Sequence, residues 1–253
     1  MSRTPGGAPV GGDGPRRRLA AALRPVITMT VAGLFDDQDM AEAAEALEAV
    51  SARMAGRAGP ERKPRLHPDI SRPPQEFFPT SPVTGLDNPL AAPVRVEVVD
   101  GAGPHREILA EAWFDYPYEG PPTCVHGGVI AQTFDELLGA ANMVAGYPGM
   151  TGTLTVRYRK PTPLRTPLRI EARYVSRAGR KVHTWAAMYD GDLMTAEAEG
   201  IFIEVAPTRF LAIAEGNAEG ADPTTLEIMR TEAQRVGAAS DVPGFLGAPD
   251  VAD

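Results

Sequence analysis

The sequence predicts an α+β domain in which one antiparallel sheet packs against one long apolar helix. Two observations support this prediction. Alternation of apolar and polar residues recurs in short segments between residues 94 and 205, and one long apolar segment interrupts those segments near residue 127. Strands that follow one another through short turns pair antiparallel, and a helix that apolar must be covered by a sheet or by a partner.

Each strand is predicted from a local pattern. In residues 153–159, for example, Leu154, Val156 and Tyr158 alternate with polar side chains, which is typical of a half-buried strand. Short turns rich in Gly, Asp and Ser separate several of these segments. The six predicted strands are 94–99, 106–114, 153–159, 168–175, 181–189 and 196–205.

We expect three parts along the chain, divided where the composition changes. Residues 1–76 form an N-terminal extension, residues 77–206 the α+β domain, and residues 207–253 a C-terminal extension. The C-terminal extension is predicted to contain one short helix, within 223–236, and a mobile tail.

Within the N-terminal extension, residues 1–18 are rich in Gly, Pro and Arg and are expected to be disordered. A helix is predicted at about 36–56, with an apolar stripe that docks on the domain or on a partner. A Pro-rich linker follows at 58–74. Residues 15–34 imitate a signal peptide, but the Arg24-Pro25 pair interrupts the apolar run, so we expect no secretion.

The composition argues against several classes of protein. A net charge of −8 and an isoelectric point near 5.1 disfavour a nucleic-acid-binding protein. No apolar run reaches the length of a membrane span, and the four histidines follow no metal-ligand spacing. Cys124 is the single cysteine, so the chain forms no intrachain disulfide, and we expect a cytoplasmic protein without a metal or a cofactor.

The predicted central helix carries an unusual pair of acids. Between residues 127 and 150 the only charged side chains are Asp135 and Glu136, on a segment that is apolar on nearly every side. A buried carboxylate needs a partner or a function. We assign the functional role to Asp135, and we expect Glu136 to face solvent or to pair with an arginine.

Two glycines stand at the start of this helix. A helix N-terminus presents unpaired N–H groups and a partial positive charge, and glycine permits close approach of a ligand to the backbone. Gly127 and Gly128 therefore suit an oxyanion, a carboxylate or a phosphate, although a His-Gly-Gly sequence also forms a simple tight turn.

The spacing between the glycines and the acid predicts a shared site. Gly127 and Asp135 are eight residues apart, which is about 12 Å along a helix, so they do not reach one carbonyl together. A second, antiparallel copy of the helix would bring Asp135 to the first copy's glycines. If both groups act on one substrate atom, the protein is a homodimer with two identical sites.

The segments HGGVIAQTFDELLG and GMTGTLTVRYRKPTPL together resemble the hotdog-fold acyl-CoA thioesterases of the phenylacetate-pathway (PaaI) type. The resemblance covers about residues 86–205 and extends back towards residue 77. HGG alone is a weak motif. Its combination with an acid nine residues after the His, with Met-Thr sixteen residues further on and with Y-[KR]-[KR]-P-x-P is specific.

The resemblance implies a hotdog fold, in which the antiparallel sheet wraps around the central helix, and a homodimer or homotetramer. It implies that the Gly127 N–H, helped by Gly128, binds the thioester carbonyl, and that His126 shapes the turn. It implies that Asp135 of the other subunit acts as general base or nucleophile, and that Thr151 holds the water or the carboxylate.

For the phosphates of CoA we select Arg159 and Lys160, at the end of a strand in an otherwise acidic protein. The sequence departs from many relatives of this family at YEGPPTCV, where no Asn or Gln precedes the HGG. Cys124, in that segment, is expected to pack rather than to act as a nucleophile.

The function predicted from these residues is hydrolysis of an acyl-CoA to a carboxylic acid and CoA. The alternative is a non-catalytic acyl-CoA-binding protein of the same fold, a sensor or scaffold. A hotdog dehydratase or hydratase is a third possibility, which the HGG context disfavours.

Overall fold

A computed structural model describes residues 14–57, 59, 74–92, 94–216 and 223–238. Three predictions lie outside the described residues: disorder in residues 1–13, most of the Pro-rich linker, and the mobile tail from residue 239. Among the helices of the described ranges, none has the length and apolar character needed to cross a membrane.

The core of the fold is one six-stranded antiparallel sheet in the order β1-β2-β4-β5-β6-β3. All six predicted strands are confirmed, and β3 begins four residues before the predicted start. Their bounds are β1 Val94–Asp100, β2 Arg106–Ala112, β3 Gly149–Tyr158, β4 Leu168–Ala178, β5 Lys181–Asp190 and β6 Leu193–Glu204. β1 and β3 form the two edges of the sheet.

One face of the sheet packs against the predicted central helix, α4 (Gly127–Val144). The helix follows β2 through the short 3-10 helix η1 (Tyr116–Tyr118) and returns the chain to edge strand β3. Phe134 and Leu137 on α4 are fully buried with Phe202 from β6 in one apolar cluster. Burial of this face holds α4 in place, because removal of apolar surface from water is the dominant favourable term in folding.

A β-bulge at the start of β3 changes which residues face the helix. Thr151 is opposite Phe202 and Thr153 is opposite Ile201, so the register shifts by one residue at Gly152. Directly opposed residues share a face of the sheet, and Phe202 is buried against α4. Thr151 therefore points towards α4 and Thr153 away from it. Strict alternation along the strand would put both threonines on one face, but the bulge inserts an extra residue.

The N-terminal extension contains a helix that the sequence analysis missed. Helix α1 (Pro15–Ala32) begins with proline at its first position and ends at Gly33 in the left-handed conformation. It includes residues 15–18, which were expected to be disordered, and continues through Pro25. Two of its arginines, Arg17 and Arg24, have partners in the segment before β1, which a reading of local composition does not detect.

Two arginines attach α1 to the segment that precedes β1. The Arg24 guanidinium donates to the backbone oxygens of Leu86 at 2.9 Å and of Asn88 at 2.8 Å. Arg17 pairs with Asp87 at 3.2 Å. Partial burial of Arg24 lowers its pKa, since desolvation disfavours the charged form, and the hydrogen bonds to carbonyl oxygens offset that cost.

Four further helices complete the described structure. Helix α2 (Asp37–Ala55), predicted at 36–56, has no buried residue, so the expected docking of its stripe on the domain is not seen. Helix α3 (Pro74–Phe77) precedes the sheet. Helix α5 (Pro207–Gly216) was not predicted, and it packs against α6 (Pro223–Ala238), which confirms the predicted short helix.

Phe134→Ala should destabilise the domain by about 3–5 kcal/mol, because the ring is completely buried and its removal leaves a cavity. The matched control is Phe35→Ala, since that ring is 45% exposed, and a change of about 0.5 kcal/mol or less is expected. Urea unfolding of both variants at one protein concentration measures the difference. Equal midpoints would contradict the described core.

Arg24→Ala should release α1 from the domain, because three backbone oxygens lose a charged donor. Hydrogen exchange of the α1 amides is expected to accelerate about tenfold or more. Arg18→Ala removes an exposed arginine of the same helix and should leave the exchange unchanged. Unaltered α1 protection in the Arg24 variant would show that these bonds do not hold the helix.

Candidate active site

The turn that starts α4 is built around His126, which is the N-cap residue of the helix. Its Nδ1 accepts a hydrogen bond from the Gly128 N–H at 2.9 Å, so the neutral ring carries its proton on Nε2. The backbone N–H of His126 donates to the Tyr118 carbonyl at 2.8 Å, and the backbone N–H of Val125 donates to the Thr162 carbonyl at 2.9 Å. These bonds fix the direction in which the helix N-terminus points.

The two predicted backbone donors differ in availability. The Gly128 N–H is occupied by the His126 ring, so it is not free for a ligand in this conformation. The Gly127 N–H has no acceptor within the described part of the chain, and it lies at the positive end of the helix dipole. Gly127 is thus the donor that this turn leaves open for an oxyanion.

Tyr158, which sequence reasoning treated only as a strand residue, lies directly against this turn. Its hydroxyl donates to the Gly127 carbonyl oxygen at 2.9 Å. A Cβ added at Gly127 would lie 3.3 Å from the Tyr158 ring and hydroxyl, so glycine allows this close approach. The Tyr in Y-[KR]-[KR]-P-x-P is the sequence signal that points to this contact.

Asp135 lies two turns further along α4 and accepts a hydrogen bond from the Thr151 hydroxyl at 2.8 Å. The bulge at Gly152 makes this contact possible, because it turns Thr151 towards the helix. The side chain of Asp135 is half-buried. Within one chain, Asp135 and Gly127 stay eight residues apart on the same helix, so the structure pairs Asp135 with Thr151 but not with the His-Gly-Gly turn.

Glu136 neither faces solvent nor pairs with an arginine, so that expectation was wrong. Its carboxylate accepts hydrogen bonds from the Ser81 hydroxyl at 2.7 and 2.6 Å and from the Thr84 hydroxyl. The segment that supplies these hydroxyls folds back over α4 from before the first strand. Sequence separations of more than 50 residues explain why local reasoning missed the contact.

Of the two residues selected for phosphate contact, one has an ion-pair partner and the other has none that the structure describes. The Arg159 guanidinium pairs with Glu197 on the neighbouring strand, and this hydrogen bond lowers the pKa of Glu197. Lys160 has no ion pair among the residues that the structure describes. Of these two cations, Lys160 is therefore the one without a carboxylate partner there.

The segment before the turn, residues 118–125, forms structural contacts. The Glu119 carboxylate accepts from Thr123 N–H at 2.7 Å, and Cys124 forms a backbone bridge with Pro163. No cluster of three or more metal-ligating side chains occurs in the described ranges. The arrangement offers one open backbone donor at a helix start and one carboxylate oriented by a hydroxyl, which are the parts of an acyl-transfer site.

Comparison with known proteins agrees with this geometry. The family profile described as the thioesterase superfamily matches residues 123–196, which contain the His-Gly-Gly turn, α4 and β3. Two curated relatives are named acyl-coenzyme A thioesterase THEM4. The one from Xenopus laevis is 37% identical over 94 residues, and the one from Mus musculus is 31% identical over 93 residues.

These alignments cover only part of each protein. They include 36% of this chain and 42% or 40% of the two relatives, so the chain spans about two fifths of the relatives' length. A solved structure of a thioesterase superfamily protein aligns more completely, with a TM-score of 0.66 and 29% sequence identity. That alignment covers 76% of this chain and 96% of the other.

The matched segment, the long structural alignment and the sheet packed around α4 agree on one assignment. The described sheet and helix have the hotdog fold, and residues 123–196 match the thioesterase superfamily.

Proposed function

We propose that the protein is an acyl-CoA thioesterase that hydrolyses an acyl-CoA to a carboxylic acid and CoA. The observation that carries the proposal is the hydrogen bond from Thr151 to Asp135, in a thioesterase-superfamily domain whose helix start keeps the Gly127 N–H open. The names of the two curated relatives support the same substrate class.

In the proposed reaction, the thioester carbonyl oxygen accepts from the Gly127 N–H, and the positive end of the α4 dipole stabilises the developing oxyanion. Asp135 removes a proton from the water that attacks the carbonyl carbon, or it attacks that carbon itself and forms a mixed anhydride, which water hydrolyses after CoA has left. The tetrahedral intermediate then collapses, the C–S bond breaks, and CoA leaves as thiolate. The Thr151 hydroxyl holds one oxygen of the Asp135 carboxylate, which directs the other towards the substrate.

The proposed site needs two chains, because Gly127 and Asp135 of one α4 do not reach the same atom. A second copy with an antiparallel α4 supplies the missing partner at each end. The exposed edge strand β3 supports this arrangement, since Met150 is 48% exposed and Tyr158 is 56% exposed along it. The proposed assembly is a homodimer, which can pair further into a homotetramer, in the cytoplasm.

For the CoA moiety, we assign Lys160 as the phosphate contact, with Arg159 available if it exchanges Glu197 for a phosphate.

The alternative function is binding of acyl-CoA without turnover. One observation favours it: the His126 ring occupies the Gly128 N–H, which leaves fewer donors for an oxyanion.

Release of free thiol from short, medium, long and aryl acyl-CoAs tests the proposal. Asp135→Ala should lower kcat by about a hundredfold or more, because it removes the general base or nucleophile. Size-exclusion chromatography and a melting temperature of the variant confirm that the fold is retained. Tight acyl-CoA binding without turnover in the wild type would favour the non-catalytic alternative, and equal activity of both proteins would make Asp135 structural.

Thr151→Val should lower kcat/KM about tenfold, because a hydrogen bond to a charged group is lost and the Asp135 carboxylate gains rotational freedom. Thr153→Val is the matched control, since it makes the same change two residues away on the opposite face of β3. Its kcat/KM should equal that of the wild type. If both variants lose activity to the same extent, the bulge does not have the role proposed here.

A further inference from the structure

Residues 77–91, here called the brace segment, form a compact unit that is held by its own backbone. Asp87 N–H donates to the Pro79 carbonyl at 2.7 Å, and Gly85 N–H donates to the Ser81 carbonyl at 3.2 Å. A Cβ at Gly85 would lie 2.4 Å from the Ser81 nitrogen, so a side chain there would force the segment apart. The brace segment is therefore a built structure and not a loose connection to β1.

The Ser81 hydroxyl is oriented by the brace segment itself. Its oxygen accepts from Val83 N–H at 3.0 Å and from Thr84 N–H at 3.3 Å, so its proton is left to point at Glu136. The Thr84 hydroxyl donates to the same carboxylate, and Thr84 is only 1% exposed. A half-buried carboxylate with two hydroxyl donors is a defined attachment point, because loss of either donor leaves part of its charge unsatisfied.

This attachment lies beside the proposed catalytic carboxylate. Glu136 follows Asp135 directly on α4, so this turn of the helix is held on two sides. Thr151 from β3 binds the first carboxylate, and the brace segment binds the second. Rotation or sliding of α4 would break both contacts at once.

The brace segment also reaches the other end of the site. The Tyr118 hydroxyl donates to the Leu90 carbonyl at 3.1 Å, and the Tyr118 carbonyl accepts from His126 N–H at 2.8 Å. His126 caps the helix whose first N–H is the open donor. One segment is therefore connected to the turn that carries Gly127 and to the turn that carries Asp135.

We propose that Glu136, bound by the Ser81 and Thr84 hydroxyls, is a positioning residue of the active site, which sets the orientation of Asp135 through the brace segment. The inference rests on the proposed thioesterase function. In the reaction, Glu136 touches neither substrate nor water. Its carboxylate holds the turn of α4 on which Asp135 is presented, so its effect falls on the chemical step and not on substrate binding.

The test measures kcat and KM for Glu136→Ala, Glu136→Gln and the double variant Ser81→Ala/Thr84→Val, on an acyl-CoA that the wild type hydrolyses. Glu136→Ala and the double variant should each lose kcat about tenfold, as a misplaced catalytic group does, with KM within about twofold of wild type. Glu136→Gln keeps an oxygen that accepts from the hydroxyls, so it should retain most of the wild-type kcat. The triple variant, Glu136→Ala combined with Ser81→Ala/Thr84→Val, should lose no more kcat than Glu136→Ala or the double variant alone, because all three changes remove the same contact.

Thr80→Val is the control, since its hydroxyl lies in the same segment and has no hydrogen bond in the described part of the chain. It should keep the wild-type kcat. Melting temperatures identify any variant that is only less stable. If Glu136→Ala does not fold, Ser81→Ala alone carries the test, because it removes one donor and keeps the carboxylate.

The outcomes separate this inference from the function on which it rests. Turnover that depends on Asp135 but is unchanged in every Glu136 and hydroxyl variant overturns the positioning role and leaves the thioesterase intact. If Glu136→Gln loses as much as Asp135→Ala while the double variant is unaffected, Glu136 itself contacts substrate and the inference is wrong. A wild type without turnover on any acyl-CoA overturns both.

Discussion

The burial of a helix that carries two adjacent carboxylates is the constraint on which the rest of this structure depends. Helix α4 has to lie against the sheet, because its apolar face covers the core. Asp135 and Glu136 then leave bulk water in part, and a half-buried carboxylate needs hydrogen-bond donors. The fold brings donors from two directions. A bulged edge strand supplies Thr151, and the segment before the first strand supplies Ser81 and Thr84.

The same constraint explains features that look unrelated in the sequence. The bulge at Gly152 exists at an edge strand, where an extra residue is tolerated, and it orients one threonine inward. The arginines of α1 bind the carbonyl oxygens of Leu86 and Asn88, in the segment that holds Glu136. The N-terminal extension is thus connected through one short segment to the centre of the domain. A basic stretch that imitates a targeting signal has a structural use here.

The helix start shows how backbone geometry decides which donors are available. His-Gly-Gly places two N–H groups at a positive helix end, but the histidine ring takes one of them as an N-cap. The Gly127 N–H remains open, and the Tyr158 ring packs against Gly127, the first residue of the helix. The chemistry that this end of the helix can support therefore depends on one backbone N–H and on the helix dipole.

Local patterns in the sequence were sufficient for the six strands and for α2, α4 and α6. They also singled out Asp135 and Gly127 as site residues, and the resemblance added Thr151; these roles stay predictions. Alternation and helical periodicity are properties of neighbouring residues, so they are visible in the sequence without a tertiary structure. The resemblance of two motifs added the fold family, which the matched residues support. Helix α1 and the inward turn of Thr151 were not predictable in this way.

The sequence by itself determined the succession of strands and one apolar helix along the chain, and the presence of an acid that such a helix does not tolerate without a partner. Only the tertiary structure decided what those partners are. The bond to Glu136 joins residues more than 50 positions apart, and the bond to Asp135 depends on a one-residue shift of register. Both follow from where the whole chain brings its segments together, because hydrogen bonds act over a few ångströms in space and not along the sequence.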